Sequence, residues 1–342
     1  MTNYPGNLTI EQAHELIARA LRASQVSDEA ARSVATALVA AECDGQNGHG
    51  FSRVASYCAQ AKSGKVNGFA TPQWQGLTSA FARIDAGNGF AFPAIDLAID
   101  GLTEMAATSG IAAVAIHRSH HCGQLGAHVE KLAERGLVAL MMANTPKAMA
   151  PWGGDSPLFG TNPIAFAAPG VNPAGDALVM DLSLSRVARG KVMAAAQAGE
   201  TIPPDWALDA QGRPTTDPNA ALQGSMVPAG EAKGAALAMM VEVLAATLTG
   251  AKYSYEATSF FDAEGEPPGV GQFLMAIHAD NVTAGAFSAR LQELCTTVEK
   301  QPGARLPGSS RFERRARAGE QGVKISDQML RDLNQLCAVA DH

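Results

Sequence analysis

The sequence lacks both common nucleotide signatures. No GxGxxG follows a strand pattern and no GxxxxGK[ST] occurs in the 342 residues, so neither a Rossmann fingerprint nor a P-loop is present. A bound nucleotide must be held in another way. HExxH and CxxC are also missing, and the five cysteines, Cys43, Cys58, Cys122, Cys295 and Cys337, are odd in number and scattered, as expected for reduced and mostly packed thiols. No run is long and apolar enough to span a bilayer, and the opening residues lack the basic and apolar regions of a secretory signal, which predicts a cytoplasmic protein with no membrane partner. Positive charge is short. A net charge of -7 argues against nucleic acid, whose partners carry a positive contact face. Charged residues make up only 17% against 46% hydrophobic ones, the balance of an oligomer that hides part of its exterior. Internal repeats and low-complexity tracts are absent too. The length predicts two or three domains sharing surfaces.

Two amino-terminal helices are predicted from pattern. Thr9 and Gln12 form a capping box ahead of Ala13, Leu16, Ile17, Ala20 and Leu21, which recur on one face. Ser27 caps the second helix, with Asp28 and Glu29 in its first turn and a stripe of Ala31, Val34, Leu38 and Ala41 that runs to Gly45. From residue 78 the texture changes to short apolar runs. Residues 81–84, 111–116, 137–142, 163–167, 178–182 and 273–277 read as strands mostly covered on both faces, in an α/β sheet wrapped by helices. Helices are predicted at 93–107, 125–135, 187–197 and 235–248, the last with Leu237, Met240, Val241, Leu244 and Leu248 on one side and Gly250 as its stop. Residues 200–228 read as an exposed excursion. Residues 251–272 form a long loop carrying Tyr253, Tyr255, Phe260 and Phe261, suited to function or equally to a subunit contact.

The run Asp44-Gly45-Gln46-Asn47-Gly48-His49-Gly50-Phe51-Ser52-Arg53 is the most informative stretch. A histidine between two glycines can approach a ligand closely, and a helix starting near Gly50 would let Arg53 point the same way and grip a carboxylate with its planar fork. The plainer alternative is a surface turn. Ser119-His120-His121-Cys122-Gly123-Gln124, after a strand and before a helix, can aim backbone N–H groups at a phosphate. His117, His120, His121 and His128 make this the densest histidine patch, but the spacing does not suit zinc, and no metal site is expected. Phe159-Gly160-Thr161-Asn162-Pro163 is a turn that offers the Thr161 hydroxyl. Arg305, Arg311, Arg314, Arg315 and Arg317 cluster around Leu306-Pro307-Gly308, which suits the extra phosphate of NADP or an ordinary solvated basic face.

Across almost the whole chain these pieces resemble the malate/L-lactate dehydrogenase family, which is unrelated to the Rossmann dehydrogenases. Further matching pieces are 157–166, Asp181-Leu182, Lys233-Gly234, 239–242, 248–250 and Arg305-Leu306-Pro307-Gly308. The branch that reduces cyclic imines, Δ1-piperideine-2-carboxylate and Δ1-pyrroline-2-carboxylate, is the most similar. The resemblance implies a non-Rossmann NADP-binding domain on a largely antiparallel sheet (76–185 and 230–309). It also implies a helical domain from both chain ends (1–75 and 310–342), a small excursion domain (186–229), and a homodimer. NADPH is the implied cofactor and a small cyclic imino acid the implied substrate, reduced to L-proline or L-pipecolate.

The same resemblance assigns roles: His49 as proton donor, Arg53 as carboxylate clamp, and Gly48 and Thr161 as further substrate contacts. His120, His121, Cys122, Gly123, Gln124, Leu125, Asp181, Leu182, Ser183, Lys233, Gly234, Arg305, Leu306, Pro307, Gly308 and Arg311 form the implied cofactor cradle. Two positions depart from the resembled pattern, Gly48 from that of the family and Lys191 from that of the imine-reducing branch. Gly48 stands where a serine precedes the catalytic histidine, and Lys191 stands where that branch has an acidic residue. A Ser-His-Asp relay is therefore incomplete, and His49 must be oriented by water or a backbone carbonyl. Lys191 is kept as a catalytic candidate, a cation that polarises a carbonyl, which keeps a 2-oxo acid reductase as the enzymatic alternative. A catalytically retired binding protein of the same fold is the other alternative. Without the relay carboxylate, Arg53 and Lys191 are expected to lower the His49 pKa, so that reduction favours mildly acidic to neutral pH.

Overall fold

The computed structural model describes residues 6–170 and 176–338. The first five residues, part of the stretch compared above with a secretory signal, lie outside that range. A short strand β1 (Asn7–Leu8) leads into α1 (Ile10–Arg22) and α2 (Asp28–Cys43), two 3-10 turns (Asn47–His49 and Phe51–Arg53) and α3 (Val54–Ser63). Then follow β2 (Gln73–Gly76), β3 (Phe81–Asp85), α4 (Ala91–Ser109), β4 (Ile111–Ser119), α5 (Leu125–Ala133), β5 (Leu137–Ala143), β6 (Ile164–Ala168) and β7 (Leu178–Leu182). The excursion holds α6 (Arg189–Ala198), β8 (Ala207–Leu208), α7 (Pro218–Gln223) and β9 (Ser225–Met226). After α8 (Ala232–Glu242), which runs into a π turn at Val243–Thr247, come β10 (Val270–His278), α9 (Ala279–Thr283), α10 (Phe287–Glu299), α11 (Ser309–Gln321), β11 (Val323–Lys324) and α12 (Asp327–Ala338).

The chain ends meet because β1 pairs antiparallel with β11, Leu8 opposite Val323. Leu16, Ile17 and Leu21 of α1 then share a core with Val34 and Leu38 of α2, Tyr57 of α3 and Leu333 of α12. Both predicted caps are formed. Thr9 and Gln12 bond reciprocally, and Ser27 Oγ accepts from Ala30 N. The main sheet has the order β2-β3-β4-β10-β5-β6-β7 and is antiparallel at every pairing except β3 with β4. Its six apolar strands are the six read from sequence. The seventh, β2, is an exposed edge strand of Gln, Trp, Gln and Gly, without the apolar alternation that marks a strand.

Helices α4 and α5 cover one face of the sheet through Ile95, Ile99, Leu102, Val129 and Leu132. On the other face, α8 and the excursion cover Met142 and Ile164, and α10 covers Val138 and Phe166. Helix α8 turns differently from its expected stripe. Ala235, Ala238, Val241 and Ala245 face the core, while Leu237, Met239, Met240, Val243 and Leu248 are exposed. Small residues let α8 lie close to the sheet, so its large apolar side chains are left outward. All five cysteines are unpaired and buried.

The arginines after Leu306 have mostly structural work. Arg311 Nη2 donates to Glu130 Oε1 at 2.9 Å, and Arg315 forks onto Asp44, with Nε to Oδ1 at 2.9 Å and Nη2 to Oδ2 at 3.0 Å, while also reaching Glu130. Arg314 Nη1 donates to the Asp44 carbonyl. Asp44 and Glu130 are both buried, so each needs a cation, and α11 supplies it. This corrects the picture of Arg311 as an open fork for a cofactor phosphate: its guanidinium is buried against a protein carboxylate. Arg305 is exposed and makes no ion pair among the described residues. Arg311→Ala should therefore lower the unfolding free energy by on the order of 3 kcal/mol in denaturant titration, whereas Arg305→Ala should change it by less than about 0.5 kcal/mol. Equal losses would place Arg305 in the structural network as well.

Candidate active site

The turn that carries His49 is built on Glu42. Its Oε1 accepts from Phe51 N at 2.6 Å, and a Cβ on Gly50 would lie 2.0 Å from the same carboxylate oxygen, so a side chain there would have to displace the carboxylate that holds the turn. Burial pushes the Glu42 pKa up to about 6. The helix expected near Gly50 begins there as a 3-10 turn and becomes α-helical at Val54. Two successive 3-10 turns place Arg53 as the residue before α3, where its Nε donates to the Gly48 carbonyl at 2.7 Å. Gly48 thus positions Arg53 through its backbone. Nothing lies within 4 Å of a Cβ built on Gly48, so a serine would fit.

The His49 ring stacks on His121 at 5.3 Å between centroids and 11° between planes, and His49 Nδ1 is sealed without a hydrogen-bond partner. Stacking on His121 helps to orient the ring. Burial, then Arg53, brings the His49 pKa down to about 4. Lys191 has no part in that shift. It sits exposed in the first turn of α6, and no described contact joins it to His49. The lowering exceeds what the sequence led us to expect: in the free protein His49 is neutral through the mildly acidic and neutral range.

Around this pair lies a largely aromatic wall. Tyr57 OH is 2.6 Å from His121 Nδ1, and His120 Nε2 meets Gln60 Oε1 at 2.7 Å. Phe260 packs on both His120 and His121, and Phe261 lies under the Arg53 guanidinium, 4.6 Å from Cζ to ring centroid. Lys65, buried, pins this loop by donating to Asp262 Oδ1 at 2.8 Å. Burial is the largest cause that lowers both neighbouring imidazoles, His120 to about 3 and His121 well below its usual value. The guanidinium of Arg53 is thus the cation among three neutral rings. Tyr57, Gln60 and Glu42 were missed from sequence. The available signal was Tyr57 at i+4 from Arg53, on the same helical side.

The residues assigned to the cofactor fall along β7 and its neighbours. Gly123 has φ +67°, Cys122 and Leu125 are buried, and Gln124 Nε2 donates to Asp44 Oδ2 at 3.0 Å. Asp181 Oδ2 accepts from Gly126 N at 2.7 Å, so a carboxylate already occupies the start of α5. Leu182 is exposed, and the hydroxyls of Ser183 and Ser185 are 2.7 Å apart. Gly308, at φ +75°, lies so close to β7 that a Cβ would be 2.7 Å from the Val179 carbonyl oxygen. Leu306 and Pro307 line an adjoining cavity of about 80 Å³ with Ala177, Leu178 and Phe312. Gly234 packs on Ala229, whose N donates to the Leu184 carbonyl, and Lys233 beside it is exposed. Thr161 adjoins these, its carbonyl accepting from Leu184 N at 2.9 Å while its own N donates to Thr145 Oγ1 and the two hydroxyls lie 3.3 Å apart. The next residue, Asn162, is fully buried and donates to Glu242, a structural network below the turn. Among the described residues no three His, Cys, Asp or Glu side chains are grouped to hold a metal, and no helix is long and apolar enough to cross a membrane.

Known proteins resemble this chain over nearly its full length. A (2R)-3-sulfolactate dehydrogenase (NADP(+)) from Chromohalobacter salexigens is 49% identical over 313 residues, 92% of this chain and 93% of that one. A Δ1-pyrroline-2-carboxylate/Δ1-piperideine-2-carboxylate reductase from Pseudomonas putida is 42% identical over 315 residues, 91% of each. The crystal structure of the Δ1-piperideine-2-carboxylate reductase of Pseudomonas syringae superposes with a TM-score of 0.92 at 38% identity, covering 97% of this chain and all of that one. The malate/L-lactate dehydrogenase family model matches residues 8–334. With such matches in both sequence and fold, the chain belongs to the malate/L-lactate dehydrogenase family and is an oxidoreductase.

Proposed function

We propose that the protein is an NADP(H)-dependent oxidoreductase that interconverts a small 2-hydroxy acid and its 2-oxo acid. Arg53 holds the carboxylate, and His49 carries the proton of the 2-oxygen. The observation behind this reading is a guanidinium and a neutral imidazole on one turn. A neutral imidazole is a base, ready to take the hydroxyl proton as C2 gives up its hydride. NADP(H), when bound, accepts or supplies that hydride. Exposed Arg305 and Lys233, the Cys122-Gly123 turn and the apolar hollow beside Leu306 fit such a group and would hold it, with Arg311 acting only through the fold. The 49% identical relative, named a (2R)-3-sulfolactate dehydrogenase (NADP(+)), supports this reading. Lys191 departs from the imine-reducing pattern and is nearer to the 2-oxo acid members.

Reduction of Δ1-pyrroline-2-carboxylate or Δ1-piperideine-2-carboxylate is the second reading, favoured by the relative at 42% identity and by the TM-score of 0.92. Its chemistry also suits a neutral His49, because an iminium nitrogen arrives already protonated. In either case the enzyme is a homodimer, a reading supported by the exposed apolar face of α8. Its unpaired thiols support a cytoplasmic setting.

Cofactor absorbance with 3-sulfolactate, malate and lactate plus NADP+, and with both cyclic imines plus NADPH, separates the readings. Turnover of the hydroxy acids is the expected result; turnover of the imines alone would replace the first reading by the second. His49→Ala should lower kcat by about 100-fold to 10,000-fold. The pH profile adds a sign. Oxidation needs His49 neutral, so its kcat/KM should rise through about pH 4 and then level off, while a limb near the ordinary histidine value would contradict the burial effect. Arg305→Ala should shrink any preference for NADPH over NADH at unchanged stability; equal preference before and after would remove Arg305 from phosphate binding.

A further inference from the structure

Tyr57 is completely buried, and its hydroxyl meets one partner among the described residues, His121 Nδ1 at 2.6 Å. A phenol sealed from water must give its proton to an acceptor, and Nδ1 is the acceptor within reach. The hydroxyl therefore donates, and Nδ1 keeps its lone pair for that bond. A neutral imidazole has one N–H, so the His121 proton sits on Nε2. Nε2 has no hydrogen bond among the described residues and is not among the sealed polar atoms, so it keeps some contact with solvent. Protonating His121 would put a second N–H against the Tyr57 hydroxyl and strand the phenol proton. The two stacked rings thus differ: His49 has an unpartnered Nδ1, and His121 has its proton locked in place.

We infer that Tyr57 is a positioning residue that fixes His121 as the Nε2–H tautomer, so that His121 offers the substrate a second, neutral donor beside the Arg53 guanidinium. The location supports this, since Arg53 lies close enough to act electrostatically on both His49 and His121, and Phe260 and Phe261 wall the same corner. A carboxylate held there meets a charged fork and a fixed N–H together. The substrate part of the inference rests on the function proposed above; the tautomer does not.

Nitrogen-15 NMR of histidine-labelled free protein at neutral pH reads the tautomer directly. His121 should show a pyridine-type Nδ1 and a pyrrole-type Nε2, and Tyr57→Phe should convert this to a mixture. A pyrrole-type Nδ1 in the wild type would overturn the assignment. In kinetics with the substrate found active, Tyr57→Phe should raise KM by about two- to fivefold, because a tautomer mixture keeps part of the Nε2–H population, with kcat changed by less than about threefold. An unchanged KM in a folded variant would remove His121 as a substrate donor. Should Tyr57→Phe not fold, His121→Gln, which keeps a donor, should hold KM within a few-fold while His121→Phe should not; equal effects would again refute the donor. Absence of turnover with every substrate would overturn the proposed function and the substrate part with it, while the nitrogen-15 spectrum still decides the tautomer.

Discussion

Asp44 is the constraint on which the site depends. It caps α2 three residues before the His49 turn, and its buried carboxylate accepts both from the fork of Arg315 on α11 and from Gln124 at the head of α5. Three distant parts of the chain are thereby held at one point: the amino-terminal helices, the sheet layer and the carboxyl-terminal helix. A buried ion pair adds little net stability over an apolar equivalent, because both charges lose water. It does specify geometry. Misplacing α11 would leave Asp44 and Glu130 uncompensated in the interior, so the arrangement that brings residues 120–125 against the His49 turn is the one in which every carboxylate is paired.

Within that frame the cleft is electrostatically simple. Burial disfavours the charged form of each histidine; the Arg53 guanidinium adds to the effect on His49 and His121, and Lys65 and then Arg53 add to it on His120. The result is a corner in which the Arg53 guanidinium stands among neutral polar rings, with the Lys65 charge paired to Asp262, and an anionic substrate can enter without meeting a competing carboxylate from the relay. Glu42 is near but faces the backbone of the turn. Its closeness to Gly50 also explains the second glycine of the Gly-His-Gly run, while Gly48 has open space around it. The two glycines flanking His49 are alike in sequence and unlike in physical role.

The excursion and α8 show where pattern and packing part. Apolar spacing at 235–248 identifies a helix correctly, yet Leu237, Met240 and Leu248 are outside and the alanines are inside. Helical periodicity says that one side is buried; it does not say which, when large and small apolar residues occupy opposite sides. Close approach to a sheet selects the small ones. The same reasoning applies to the arginines of α11, where a basic cluster in an acidic chain draws attention as an anion site although its partners are two buried carboxylates of the same chain.

The sequence by itself determined the capped helices, the six apolar strands, the reduced state of the thiols and the pairing of His49 with Arg53, because each rests on local spacing or on residue chemistry. Family resemblance carried the largely antiparallel sheet, since strand order cannot be read from apolar runs. Only the tertiary structure decided that Arg311 is spent on Glu130, that Lys191 lies away from the described contacts of His49, and that Tyr57 and Phe260 complete the histidine pair. The physical reason is common to all three. Ion pairing, burial and aromatic packing depend on residues up to hundreds of positions apart, and the balance between desolvation and a neighbouring charge is set by where the folded chain brings them together.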